Sequence, residues 1–256
     1  MPRYKRRNKG PGSRVSGIAM NRRNFAAYAV FGLALPLAAG SSLAQEAKKP
    51  PAGKPAPAGP NAALSADEIV TRVQAFYDKT TTFKAGFKQR YIVKAYDKTK
   101  DSAGSVIFEK PGKMSWRYSS NGNRVVSDGQ LIKIYEKENK QMYEQQLSKT
   151  QYPAALSFLT GQGKLKQNFK FSKQDSKQMK FESGYVLAGD PLQPTAAYER
   201  VLFYVDAQTY QVRRVLIIDA QGNRNRFDFL TSEVNTKAPQ GEFAFTPPPG
   251  TQVIRP

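Results

Sequence analysis

Residues 106–118 read V-I-F-E-K-P-G-K-M-S-W-R-Y, and residues 119–134 continue S-S-N-G-N-R-V-V-S-D-G-Q-L-I-K-I. Apolar and polar residues alternate here, with Met114, Trp116 and Tyr118 set against Lys113, Ser115 and Arg117. A period of two belongs to a half-buried strand. Pro111-Gly112, Asn121-Gly122 and Asp128-Gly129 break the pattern at short intervals, and each dipeptide signals a turn. The stretch predicts a meander of antiparallel strands with one apolar face, which carries the only tryptophan.

The same period extends in both directions. From Thr82, one face collects Phe83, Ala85, Phe87, Gln89, Tyr91 and Val93, and the other Lys84, Gly86, Lys88 and Arg90. Strands are expected over residues 103–109, 113–118, 123–127, 131–135 and 141–145. They resume over 167–172, 180–187, 198–206, 212–219, 224–231 and 243–246, with Gly222-Asn223 as a further hairpin signal.

Two segments switch to helical spacing. Ser65 with Glu68 forms a capping box, and Ile69, Val70, Val73, Phe76 and Tyr77 follow on one face, a stripe that reads as core packing. Residues 153–161, P-A-A-L-S-F-L-T-G, are bracketed by Pro and Gly and predict about two turns of helix bearing Leu156, Phe158 and Leu159. The fold class expected is mainly β with short helices. About eleven to twelve strands in one domain suggest a highly curved antiparallel sheet or an unclosed barrel. An open barrel would leave a concave apolar face to water, so the interrupting helix should lie across some part of the sheet.

Composition removes most catalytic chemistries. The chain of 256 residues has no Cys and no His. That excludes thiol nucleophiles, Ser-His-Asp triads and imidazole-held metals. No motif indicates a carboxylate metal site or a Ser-Lys pair, so no enzyme, catalytic residue, metal or cofactor is expected. The net charge of +20 raises the question of nucleic acid. Its distribution argues otherwise. The first 44 residues hold eight Lys/Arg and no acid, and the other 32 basic residues exceed the 20 acids by 12. Many of these bases occupy alternate strand positions, such as Lys84, Lys88, Arg90 and Lys94, and read as solvated outer faces. An anionic membrane surface or acidic partner is the alternative.

Residues 20–44 carry Arg22 and Arg23, an apolar run from 25 to 39, and Ser42-Leu43-Ala44. This is the succession of a secretory signal peptide, cleaved after Ala44. Met20 makes a better start than Met1. Residues 45–63, rich in Lys, Pro, Ala and Gly, read as a disordered linker, and 64–256 as the folded domain.

In order along that domain, the chain resembles the LolA-type periplasmic carriers of outer-membrane lipoproteins. T-F-K-A-G-F-K-Q at 82–89 is similar to the family's S-F-x-A-x-F-x-Q. Residues 104–116 with V-S-D-G at 126–129 are similar to its G-x-strand-R-P-x-x-apolar-x-W and V-S-D-G. F-A-F-T-P-P-P-G-T-Q-V at 243–253 is similar to its closing F-x-F-T-P-P-x-G-x-x-V. The resemblance implies a half-barrel with a helical lid and a cavity for the acyl chains of lipoproteins. It implies release of cargo from the inner membrane by an ABC transporter, delivery to an outer-membrane receptor, and no covalent chemistry. The chain is expected in the periplasm, acting as a monomer without nucleic acid. An envelope lipid- or glycolipid-binding or sensor module on the same fold is the alternative.

Acyl burial is worth about 0.8 kcal/mol per CH₂, so carrying such chains through water requires an apolar cavity. Phe83, Phe87, Tyr91, Met114 and Trp116 on strands, and Leu156, Phe158 and Leu159 on the lid, are the expected lining. One departure from the family pattern stands at Lys110, where the family has an arginine that latches the lid to backbone carbonyls. Lys110 lacks that planar fork. It is expected to reach the C-terminal end of the lid helix near residues 159–161.

Overall fold

The computed structural model describes residues 64–149, 154–161 and 163–255. Helix α1 (Ala66–Asp78) leads into strands β1 (Thr82–Val93), β2 (Lys98–Glu109), β3 (Lys113–Tyr118), β4 (Arg124–Asp128), β5 (Leu131–Glu136) and β6 (Gln141–Gln146). Helices α2 (Ala154–Thr160) and α3 (Leu165–Asn168) follow. Strands β7 (Phe169–Gln174), β8 (Gly184–Pro191), β9 (Arg200–Asp206), β10 (Val212–Ile218), β11 (Arg224–Val234) and β12 (Gln252–Ile254) complete the chain.

All twelve strands form one sheet, in the order β12-β6-β5-β4-β3-β2-β1-β11-β10-β9-β8-β7. Each neighbouring pair is antiparallel except β12 with β6. The terminal strands β12 and β7 stand at opposite ends of the order, so the sheet is unclosed, as its alternating pattern implies. β1 is central. Its register sets Phe83 opposite Phe108, Ala85 opposite Val106 and Phe87 opposite Gly104 on β2. β3 continues the layers, with Met114 opposite Phe108 and Trp116 opposite Val106. The period of two thus stacks apolar residues in rows across the sheet.

The helices cover the inner face. α1 starts at the capping box foreseen in the sequence. The Ser65 amide donates to Glu68 Oε2 at 2.8 Å and the Glu68 amide donates to Ser65 Oγ at 3.2 Å. Ile69, Val70, Val73 and Tyr77 of α1, with Leu156, Phe158 and Leu159 of α2 and Leu165 of α3, join the inner strand residues in a single buried cluster.

Three strand expectations need correction. Residues 167–172 begin with a helical turn, and β7 starts only at Phe169. Residues 180–183 precede β8. The Asp175 side chain accepts from the Lys177 amide at 2.8 Å, the Met179 amide donates to the Asp175 carbonyl, and Lys180 takes a left-handed φ of 52°. These local bonds win over the ladder. Residues 243–246 are not a strand. The prolines at 247–249 cannot donate to a ladder, and pairing resumes only at β12.

That non-strand segment straps the outer face of β3–β5. The Ser115 hydroxyl donates to Glu242 Oε1 at 2.6 Å, and Arg117 grips both carboxylate oxygens at 3.0 and 2.8 Å. Lys133 Nζ donates to the Phe245 carbonyl at 3.0 Å. The Phe245 ring lies beneath the Arg124 guanidinium and beside Tyr135.

Candidate functional site

The inner face of the sheet is an aromatic floor. Phe87 meets Trp116 edge-on at 4.9 Å and Tyr118 at 5.0 Å, while Trp116 also touches Phe108 at 5.6 Å and Phe227 at 5.3 Å between centroids. Edge-to-face pairs of this kind are the preferred packing of aromatic quadrupoles. Met114 and Trp116 are fully shielded from solvent, as their alternation on β3 requires.

The floor is bounded at one end by a polar pair. Gln89 and Asn225 are buried, and the Gln89 amide donates to Asn225 Oδ1 at 2.9 Å. In register, Gln89 faces Phe227 and Asn225 faces Tyr91. Beyond this pair lies Tyr91, which buries itself with Val93 in a separate apolar group. Seven of the eight residues expected to line one site therefore come together: Phe83, Phe87, Met114, Trp116, Leu156, Phe158 and Leu159. Tyr91 does not join them. β1 extends past the amide pair, and sequence alternation alone cannot tell where one apolar layer ends and the next begins.

The cover is thin. Phe158 of α2 packs edge-on against Tyr77 of α1 at 4.6 Å and reaches Phe203 of β9 at 6.0 Å. Tyr77 also meets Phe83 at 6.5 Å. Its hydroxyl oxygen accepts from the Val212 amide at 3.1 Å, and burial pushes its ionisation well above the usual tyrosine range. Tyr77 is thus the residue through which α1, α2 and the floor meet. The helical stripe places it in the sequence, but its side chain could not be told from ordinary core, because its partners Phe83, Phe158 and Val212 lie 6 to 135 positions away.

Lys110 occupies the junction of both helices, with a different partner from the one expected. Its Nζ donates to the Tyr77 carbonyl, at the C-terminal end of α1 rather than of α2. Only its aliphatic stem lies across Gly161, just past α2. Burial lowers the Lys110 ammonium's ionisation, with nearby Asp78 opposing and Lys164 reinforcing that shift. The bond to the end of α2 is made by backbone instead. The Gly112 amide donates to the Thr160 carbonyl at 3.0 Å. The backbone bond satisfies a carbonyl that the end of α2 leaves open, while Lys110 adds a further donor to a Tyr77 carbonyl that already accepts from the Thr80 amide at 3.0 Å. Gly161 has a φ of +75°, which ends α2 in the left-handed conformation favoured by glycine.

Two grooves open outside this interior, one of about 360 Å³ lined by Lys88, Arg90, Asp101, Ala103, Arg226 and Asp228, and one of about 420 Å³ lined by Phe87, Lys88, Arg117, Tyr118, Arg124 and Leu230. Among the described residues no helix is long and apolar enough to cross a membrane, and no cluster of potential metal ligands occurs.

The sequence matches the family described as outer membrane lipoprotein carrier protein LolA over residues 78–246. It is 26% identical over 188 residues to an outer-membrane lipoprotein carrier protein of Cupriavidus pinatubonensis, covering 72% of this chain and 86% of that one. It is 27% identical over 194 residues to one from Methylibium petroleiphilum, covering 75% and 91%. Among solved structures it is similar to a LolA superfamily protein from Nitrosomonas europaea at 12% identity. The TM-score is 0.41, covering 72% of this chain and 99% of that one.

Proposed function

The chain belongs to the outer membrane lipoprotein carrier family, LolA, and on that premise we propose that it carries the acyl chains of lipoproteins between its sheet and its helical cover. In this reading it takes lipoproteins released from the inner membrane by an ABC transporter and delivers them across the periplasm to the outer membrane, without covalent chemistry. The observation that carries the proposal is the continuous aromatic floor under three short helices.

Magnitudes favour exchange of cover for cargo. Leu156, Phe158 and Leu159 each lose about 1.5–3 kcal/mol if exposed. One acyl chain of roughly 15 methylenes gains about 12 kcal/mol on leaving water. A single chain therefore offsets the displacement of α2, and a cargo with several chains does so with a margin. The Lys110–Gly112 turn, which ties both helix ends, is the proposed latch.

Residues 1–63 lie outside the described residues; on the sequence pattern alone, we propose that 20–44 direct secretion and are removed after Ala44, and that 45–63 act as a linker to the domain. The protein is tested by incubation with inner-membrane vesicles that contain lipoproteins and the releasing transporter. Lipoprotein should appear in the supernatant in complex with the carrier, and N-terminal sequencing of periplasmic protein should begin at Gln45. Recovery of glycolipid instead of acylated protein from the native material would overturn the carrier assignment in favour of a lipid-binding module.

A further inference from the structure

A second surface is formed by the exposed side chains at the β7 edge of the sheet, whose Phe169 turns into the buried cluster. Residues 164–180 hold six lysines and one acid, Asp175, a net charge of +5. Residues 64–256 together carry 29 basic and 19 acidic residues, so half of that +10 excess lies on 17 positions. All six lysines are exposed. Lys164 is held by Asp78 and Lys166 by Asp67. Lys170, Lys173, Lys177 and Lys180 form no ion pair among the described residues. Asp190, opposite Lys170 in register, is engaged by Arg200 at 2.7 Å.

Three further observations mark this edge. β7 ends the strand order, so among the described residues its outer side faces no further strand. Leu192, 52% exposed, sits at its start, where the Leu192 amide donates to the Asn168 carbonyl at 2.9 Å. The chain also enters the domain here, since Lys173 Nζ donates to the Leu64 carbonyl at 2.9 Å. The residues leading to that point, 45–63, add Lys48, Lys49 and Lys54 against Glu46. Positive charge therefore continues into the preceding segment.

We propose that the β7 edge, through Lys170, Lys173, Lys177, Lys180 and Leu192, docks the protein on an anionic phospholipid bilayer. Lysines spread along one edge are drawn to an anionic leaflet, and Leu192, exposed at the Lys170 end of that edge, suits the interface between headgroups and acyl chains. Lysine on a free strand edge also repels a second copy of the same edge, so the charge that attracts a bilayer prevents self-pairing. The proposal stands whether or not the interior carries lipoproteins.

The test is co-sedimentation of the purified protein with phosphatidylglycerol-containing vesicles and with pure phosphatidylcholine vesicles. Binding is expected to the former alone, and to fall steeply at about 0.5 M salt, where screening is strong. Changing Lys170, Lys173, Lys177 and Lys180 together to Gln should weaken it by about tenfold or more. The matched change at Lys88, Lys98, Lys140 and Lys237, exposed elsewhere, lowers net charge equally and should weaken it less than about threefold. Leu192→Ser should reduce the binding that persists in salt. Unchanged melting of each variant certifies its fold. Equal losses from both lysine sets, or no binding to anionic vesicles, or binding to acidic protein but not to vesicles, would each overturn the proposal.

Discussion

The two faces of the sheet are covered in different ways. On the outer face, the segment after β11 is fixed by directional bonds. Glu242 receives three of them from Ser115 and Arg117, Phe245 lies under Arg124, and β12 pairs with β6. On the inner face, α2 is held by Phe158, Leu156 and Leu159 packing into the floor, with the Gly112–Thr160 backbone bond at its end. Apolar contact is non-directional, so another apolar body can replace it at little net cost. A bidentate ion pair has no such substitute. The comparison teaches which cover is exchangeable: under the proposed function the helices are the part traded for acyl chains, and the strap stays in place.

The largest expected effect comes from breaking the outer cover. Glu242→Ala leaves Ser115 and the inner side of Arg117 without their acceptor and should cost about 2–4 kcal/mol, measured by denaturant unfolding. Cargo binding by the remaining folded protein should persist. The pH dependence has a defined sign. Burial alone would raise the Glu242 carboxyl's ionisation, but the hydrogen bonds from Arg117 and Ser115 and the charges of Arg117 and Arg124 hold it below its ordinary value of 4.5. A lowered carboxyl contributes stability above its unfolded value and loses it as pH falls through the folded one. The wild type should therefore weaken below about pH 4.5, and Glu242→Gln should show a flatter profile there.

Smaller effects are expected at the inner latch. Gly161→Ala forces a side chain into a left-handed φ and against the Lys110 stem, and should cost about 1–2 kcal/mol in melting experiments. Lys110→Met keeps the stem and removes the donor to the Tyr77 carbonyl, at a cost of about 1 kcal/mol or less. Release of cargo to an acceptor should quicken in both, and slow in Lys110→Arg, whose planar fork adds donors. Identical release rates in all three and the wild type would show that the helices are held by apolar contact alone.

Much of this architecture is legible in the sequence because it is written locally. β3 falls on residues 113–118 as its alternation and flanking turns require, and α1 begins where Ser65 and Glu68 cap it. α2 starts after Pro153 and ends before Gly161 for the same reason. What was not legible depends on distance along the chain. F-A-F-T at 243–246 alternates like a strand, yet Glu242 and Phe245 are recruited by side chains more than a hundred positions earlier. Lys110 announces a cation near a helix end, but which helix is decided by the path of the whole sheet. Tyr91 shares the period of Phe83 and Phe87, and only the Gln89–Asn225 pair, joined across β1 and β11, separates it from them.

The inner face offers a direct probe, because its floor holds the only tryptophan in the chain. Trp116 is fully buried beneath the helical cover, in contact with Phe87, Phe108 and Phe227. Its fluorescence should be recorded as the protein is loaded with a triacylated peptide whose acyl chains carry bromine, a quencher that acts at close range. Strong quenching is expected from the brominated peptide, none from the unbrominated one, and loss of quenching in a folded Leu156→Asp variant. Tight binding of the brominated peptide with Trp116 emission unchanged would contradict it, and would place the acyl chains somewhere other than between sheet and helices.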